Sequence, residues 1–232
     1  MAISRVSGGN IFGNNSSNTN LDGSAFSLTA GNLLLLSVRY EGGGGSDTAT
    51  ASFTDTAGND YSQIGAAVDS NGARCHLFKV ENCLGNAANV IVGTISAARA
   101  FRRMSYAQYA GSSTIVESGT AVSNIGSGTA VGPGSITISG AGLLACAISH
   151  FNNRSVSVGS EFSGLVAGGT TSAFDDFHAL QEGFPGSGGS KTIDATLSSS
   201  DTWAAVAAAF VESGGAGSSI AAISNYYRMM RG

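Results

Sequence analysis

Asp175, Asp176 and His178 form the densest group of side chains with chemical potential in this sequence. Paired carboxylates beside an imidazole can serve acid–base catalysis or metal-assisted hydrolysis. On a strand, however, sequence neighbours point to opposite faces, so only Asp176 and His178 would share one. A solvated strand edge is therefore the expected role. A second group, Asp55, Asn59 and Asp60, clusters hard oxygens of the kind that hold Ca²⁺. Its spacing does not match a D-x-[DN]-x-[DN]-G loop, and an Asx-type turn with Gly58 at positive φ accounts for the same residues. No metal or cofactor is expected, and these three are the positions at which a metal would have to be sought. His76 and His150 sit in apolar runs near Cys75 and Cys146, where a hydrogen-bonded, half-buried imidazole is expected. No G-x-S-x-G elbow stands in a strand–turn–helix context, and Gly42 to Gly45 lacks the G-K-[ST] ending of a phosphate loop. These patterns predict no enzyme.

Two further groups read as surfaces. Arg99, Arg102 and Arg103 make the one local basic cluster; a solvated face is expected, with an acidic neighbour or an anionic glycan as the alternative. Tyr40, Tyr61, Phe151 and Phe184 are aromatics that can stack on sugars, whereas Trp203, in an Ala-rich run, reads as core.

Short strands must position all of these. Leu33 to Tyr40 is an apolar run bounded by Ala30-Gly31-Asn32 and Gly42 to Gly45, short enough for a buried strand. Ala49 to Phe53 and Tyr61 to Val68 flank a turn-rich hexapeptide and read as a hairpin. Cys75 to Val80, Asn89 to Ile95 and Arg102 to Tyr109 follow at regular spacing. The second half repeats this grammar: Ala30 to Leu34 is echoed by Ala141 to Leu144, and Val90 to Tyr109 by Thr192 to Phe210. The offset is about 100 to 110 residues, as for one unit used twice. Thr202 to Phe210 has helical propensity, but its echo of Arg102 to Tyr109 predicts a strand. The fold class expected is all-β: an antiparallel sandwich or jelly roll of about eight strands from two similar halves. Residues 1–24 read as a polar arm, 25–212 as the sandwich (strand sets at about 25–111 and 135–212), and 213–219 as a flexible linker. Residues 220–232 read as a docking tail. In it Ile220, Ile223, Tyr227 and Met230 fall near helical spacing, and Tyr226, Arg228, Met229 and Arg231 add side chains favoured at interfaces.

Composition narrows the class. The chain has 232 residues, of which 34 are Gly, 2 are Pro and only 11% are charged. Glycine without a G-X-Y period excludes collagen. No apolar run approaches the roughly 18 residues of a membrane span. A net charge of −4 argues against a general nucleic-acid binder. Three cysteines make a poor disulfide framework. With no charged and apolar leader at the N-terminus, synthesis in a reducing cytoplasm is expected, although the composition is that of a displayed β-protein.

Five segments occur in one order: Gly31-Asn32-Leu33-Leu34, Asp55-Thr56-Ala57-Gly58-Asn59-Asp60-Tyr61, Leu77 to Asn82, Ala107-Gln108-Tyr109-Ala110-Gly111, and Trp203-Ala204-Ala205. Together they resemble a family of small β-sandwich, jelly-roll-like structural proteins of tailed bacteriophages and prophages. The third departs from the family pattern, with Phe78 in place of Tyr and Glu81 in place of Ala. The motifs are turns and core strands, so the resemblance implies a fold and a virion setting but no catalytic residues. The function expected is a capsid decoration or cement protein, homo-oligomeric and most simply trimeric, that bridges the major capsid protein or other virion proteins. The alternative is a tail or fibre adhesin that binds host-surface glycan.

Overall fold

The computed structural model describes residues 2–169 and 177–213. The linker beyond Ser213, the tail residues Ile220 to Arg231, and Asp175 and Asp176 lie outside the described residues. The first half supplies β1 (Ser4–Asn14), β2 (Asn18–Asp22), β3 (Phe26–Leu28), β4 (Leu33–Glu41), β5 (Ala51–Asp55), β6 (Ser62–Val68), β7 (Ala73–Val80), β8 (Asn86–Asn89) and β9 (Ile91–Ala110). The second supplies β10 (Ile115–Glu117), β11 (Val122–Ile138), β12 (Leu143–His150), β13 (Val156–Val158), β14 (Gly164–Gly168), β15 (His178–Gly183) and β16 (Gly189–Glu212). Every pairing among the described residues is antiparallel, and these residues are all-β apart from a 3-10 turn at Gly44–Ser46. Among the described residues no helix is long and apolar enough to cross a membrane.

The halves share one strand order. One sheet runs β1-β9-β4-β7-β6, with β2 and β5 also on β9; the other runs β10-β16-β12-β15-β14, with β11 and β13 also on β16. Leu33 stands opposite Tyr109, and Leu143 opposite Phe210, so the echoes read in the sequence occupy matching places. In each half the long strand serves two layers. The outer part of β9 pairs with β2 and β5, its inner part with β1 and β4, and the change comes beside Phe101, whose φ is 44°.

Three cores result, not one. Leu33 and Leu35 face a central core shared between the halves, while Leu34, Leu36, Val38 and Tyr40 face a core private to the first half. In the second half Ala145 and Ala147 face the shared core, and Leu144, Cys146 and Ile148 a private one. Along β16, Ala204, Val206, Ala208 and Phe210 alternate with Trp203, Ala205, Ala207 and Ala209 in the same way. This is why the runs LLLL and LLACAI show no period-2 polarity: both faces of the central strands are buried, each leucine contributing about 1.5–3 kcal/mol. These alanines lie between sheets, where a small side chain lets the backbones approach.

Three boundaries differ from expectation. Residues 1–24 are not an arm, because β1 and β2 pair along β9. Backbone hydrogen bonds hold that Ser/Asn/Gly-rich stretch with few apolar anchors, Ile3, Ile11 and Leu21. The second strand set begins at β10 rather than near residue 135. The segments around Asp55 to Asp60 are not a hairpin either: β5 pairs with β9, and β6 with β7.

Candidate functional site

Asp55 explains that last difference. Its Oδ1 accepts from the backbone N–H groups of Ala57 (3.1 Å) and Asn59 (2.9 Å). Its Oδ2 accepts from Asn59 Nδ2 (2.8 Å), the Tyr61 hydroxyl (2.8 Å) and Asn89 Nδ2 (3.1 Å). Asn59 Oδ1 is itself taken by the Leu84 N–H at 2.6 Å. The turn is thus pinned to the β7–β8 connection and to β8. Five donors aimed at one carboxylate hold its pKa below the usual range despite burial, and they present positive dipole ends where a cation would sit. Asp55 and Asn59 therefore form a structural hub that spends their oxygens on protein donors, and Asp60 stands exposed beside it. Among the described residues no group of three or more His, Cys, Asp or Glu converges as a metal set.

His178 lies inside the seam between the halves. Its Nε2 is 2.5 Å from Ser105 Oγ, which donates to Asn10 Oδ1 at 2.7 Å. Since the serine proton goes to Asn10, the imidazole donates to Ser105, and its Nδ1 is left buried without a partner. Burial first, then Arg103, His150 and Arg39, lowers the His178 pKa to about 3. Ser105 and His178 are thus held as a neutral structural pair. Around them Arg39, fully buried, donates to the Phe101 carbonyl (2.6 Å), Glu41 Oε2 (2.6 Å) and the His150 carbonyl (3.3 Å). Its guanidinium carbon stands 4.9 Å from the Phe177 ring centroid, and that of Arg103 5.5 Å. Desolvation lowers the Arg39 pKa to about 10, with Glu41 opposing. His150 and His76 are also buried and have pKa values lowered to about 4 and about 3, burial leading in both. Arg39 could have been found in the sequence: it is a cation within an otherwise apolar strand.

The expected surface groups turn inward. Arg99 makes a two-toothed contact with Asp47, at 2.9 and 2.6 Å, and Arg102 donates to the carbonyls of Ser16 and Asn20. Arg103 is buried, donating to the Asn14 carbonyl at 3.2 Å and Asn15 Oδ1 at 2.8 Å. Their guanidiniums staple the chain around Asn15, between β1 and β2, and the Gly-rich loop instead of forming an outer basic face. Tyr40 is buried and donates to the Ala49 carbonyl at 2.6 Å, so it is no sugar platform. Phe184 stays part-exposed. All three cysteines are free and buried, which pushes Cys75 up to about 12.

Two surfaces escaped the sequence reading. A groove of about 600 Å³ lies between β1 and β2, lined in part by Asn10, Phe12 and Asp22. It was hidden because the stretch reads as a loop. The other is the outer side of β11, which among the described residues pairs only with β16. Comparison of the chain with protein-family models, with curated proteins and with solved structures gives no match.

Proposed function

We propose that this chain is a non-enzymatic structural protein of a virion, a decoration or cement protein that acts by covering surface on its neighbours. The observation that carries this reading is β11. It is a 17-residue edge strand without one charged side chain, and it exposes Ile125 at 47%. Soluble proteins guard such edges with Lys, Pro or bulges, because unpaired N–H and C=O groups template further strands. Here Pro133 and the register shifts beyond Gly128 guard the far part, and within residues 122–128 the Asn124 side chain takes the Ile125 N–H at 2.9 Å while the other described groups of the edge stay open. A neighbouring copy of the chain adding a strand there would cover an edge that the described residues leave bare. The internal use of Ser105, His178 and Asp55 supports a non-catalytic role, and the five phage-like motifs support the virion setting. Quantitative mass spectrometry of particles purified from cells carrying this sequence tests the reading. It expects hundreds of copies per particle; absence from particles, or a handful at the tail, would overturn it.

A further inference from the structure

The groove between β1 and β2 is where this chain leaves polar side chains unspent. Asp47, Asp55, Asp69 and Asp201 each have oxygens filled by protein donors. Asp22, which lines the groove, accepts no hydrogen bond among the described residues, although Arg102 feels its charge. Asn10 turns its amide to the other face of β1, its Oδ1 accepting from Ser105 Oγ in the seam, so it adds no side-chain contact to the groove. Ser24 is anchored only through its backbone, its N–H donating to the Ile11 carbonyl at 2.8 Å, so its hydroxyl is free. Phe12 has a fixed seat: the Arg102 guanidinium stands 5.3 Å from its ring centroid and is itself clamped by the Ser16 and Asn20 carbonyls. Gly23 closes the wall so tightly that a Cβ there would come 2.9 Å from the Met104 methyl. In the second half the matching place is shut, because Trp203 stands where the first half has Arg102 and packs on Gly126.

A cavity of about 600 Å³ falls within the range of small-molecule sites. One aromatic ring, one unpaired carboxylate and one free hydroxyl are groups that recognise a polyol. The electron-rich ring face takes the C–H side of a pyranose, and the carboxylate accepts from adjacent hydroxyls. Asp22 repels an anionic sugar or phosphate, and the guanidinium of Arg102 is already spent. We propose that this groove binds a neutral hexopyranose unit of a glycan, with Phe12 as the stacking face and Asp22 and Ser24 as its polar contacts. The proposal stands on the groove alone and is independent of β11.

Saturation-transfer NMR on the full chain, with the methyl glycosides of glucose, galactose, mannose and N-acetylglucosamine as probes, tests it. At least one should bind with a Kd on the order of 1 mM or tighter. Asp22→Asn keeps the shape of an exposed side chain and should weaken that binding by about tenfold with the melting temperature unchanged. Phe12→Leu, which keeps an apolar anchor, should weaken it as well. No saturation transfer from any of the four glycosides would overturn the proposal, and so would binding that both variants leave untouched.

Discussion

The two halves of this molecule follow one strand order and diverge at one place, the base of the long strand. Arg102 and Trp203 occupy equivalent positions there, seven residues before Tyr109 and Phe210 respectively. In the first half, Arg102 reaches out to main-chain carbonyls, the outer strand breaks into β1 and β2, and a groove opens between them. In the second half, Trp203 packs down on Gly126 and the outer strand stays whole as β11, a 17-residue edge where the first half has the 11-residue edge β1. Each half thus acquires its distinctive surface where it departs from the other. The shared strand order goes with matching core positions, and the rims differ where Arg102 and Trp203 stand.

Acid should produce the largest effect on this arrangement. The three buried histidines are unevenly divided, His76 in the first half and His150 and His178 in the second, at or near the seam. Each has a folded pKa below its unfolded value of 6.5. The unfolded chain therefore binds the extra protons, and the stability is present above pH 6.5 and is lost as pH falls through the window down to about 3 to 4. At roughly 1.4 kcal/mol per pH unit for each histidine, going from pH 6.5 to 5 should cost about 5 kcal/mol. Glu182, whose pKa is raised by burial, runs the other way and moderates the loss. Urea unfolding at pH 7.5, 6 and 5 measures it; a flat profile would mean that the seam is wet.

Substitution at the point of divergence comes next. Trp203→Ala empties the private core of the second half and should cost about 3–5 kcal/mol in denaturant unfolding. Arg102→Ala strips hydrogen bonds from part-buried carbonyls and should cost only about 1–3 kcal/mol. Equal losses would break the contrast between an apolar and a polar solution. The smallest change is expected at Tyr109→Phe. The Tyr109 hydroxyl has no well-formed hydrogen bond, and its pKa is raised by burial and by Glu182. Its removal should shift stability by less than about 1 kcal/mol, with the ring still packed in the shared core as Phe210 is in its own half.

The all-β class, the repeat and the central leucine strands were legible in the sequence, because leucine runs bounded by Gly and Asn carry their meaning locally. The expected count of about eight strands was too low, the described residues forming sixteen, with β1, β2, β10 and β11 in polar stretches not read as strands. The strand at Trp203 to Phe210 was legible only through its echo of the first half, since its own propensity is helical. What could not be read was pairing across distance. Nothing local shows that the polar stretch of β1 and β2 lies along β9, or that Asp55 is surrounded by Asn89 and Tyr61. The arginines misled for the same reason: Arg99, Arg102 and Arg103 look like a surface cluster until their carbonyl and carboxylate partners, many tens of residues away in the chain, are in place. The edge of β11 is equally silent, because an unpaired strand differs from a paired one only in what is absent beside it.

The most direct test of the functional account is the solution mass of the full chain by light scattering, for the natural sequence and for Ile125→Lys. The substitution places one charge on the open edge, on a side chain nearly half exposed, and should leave stability within about 0.5 kcal/mol. The account predicts an oligomer at micromolar concentration that falls to monomer in the variant. A natural chain that is monomeric throughout, or an oligomer that Ile125→Lys leaves intact, would contradict it.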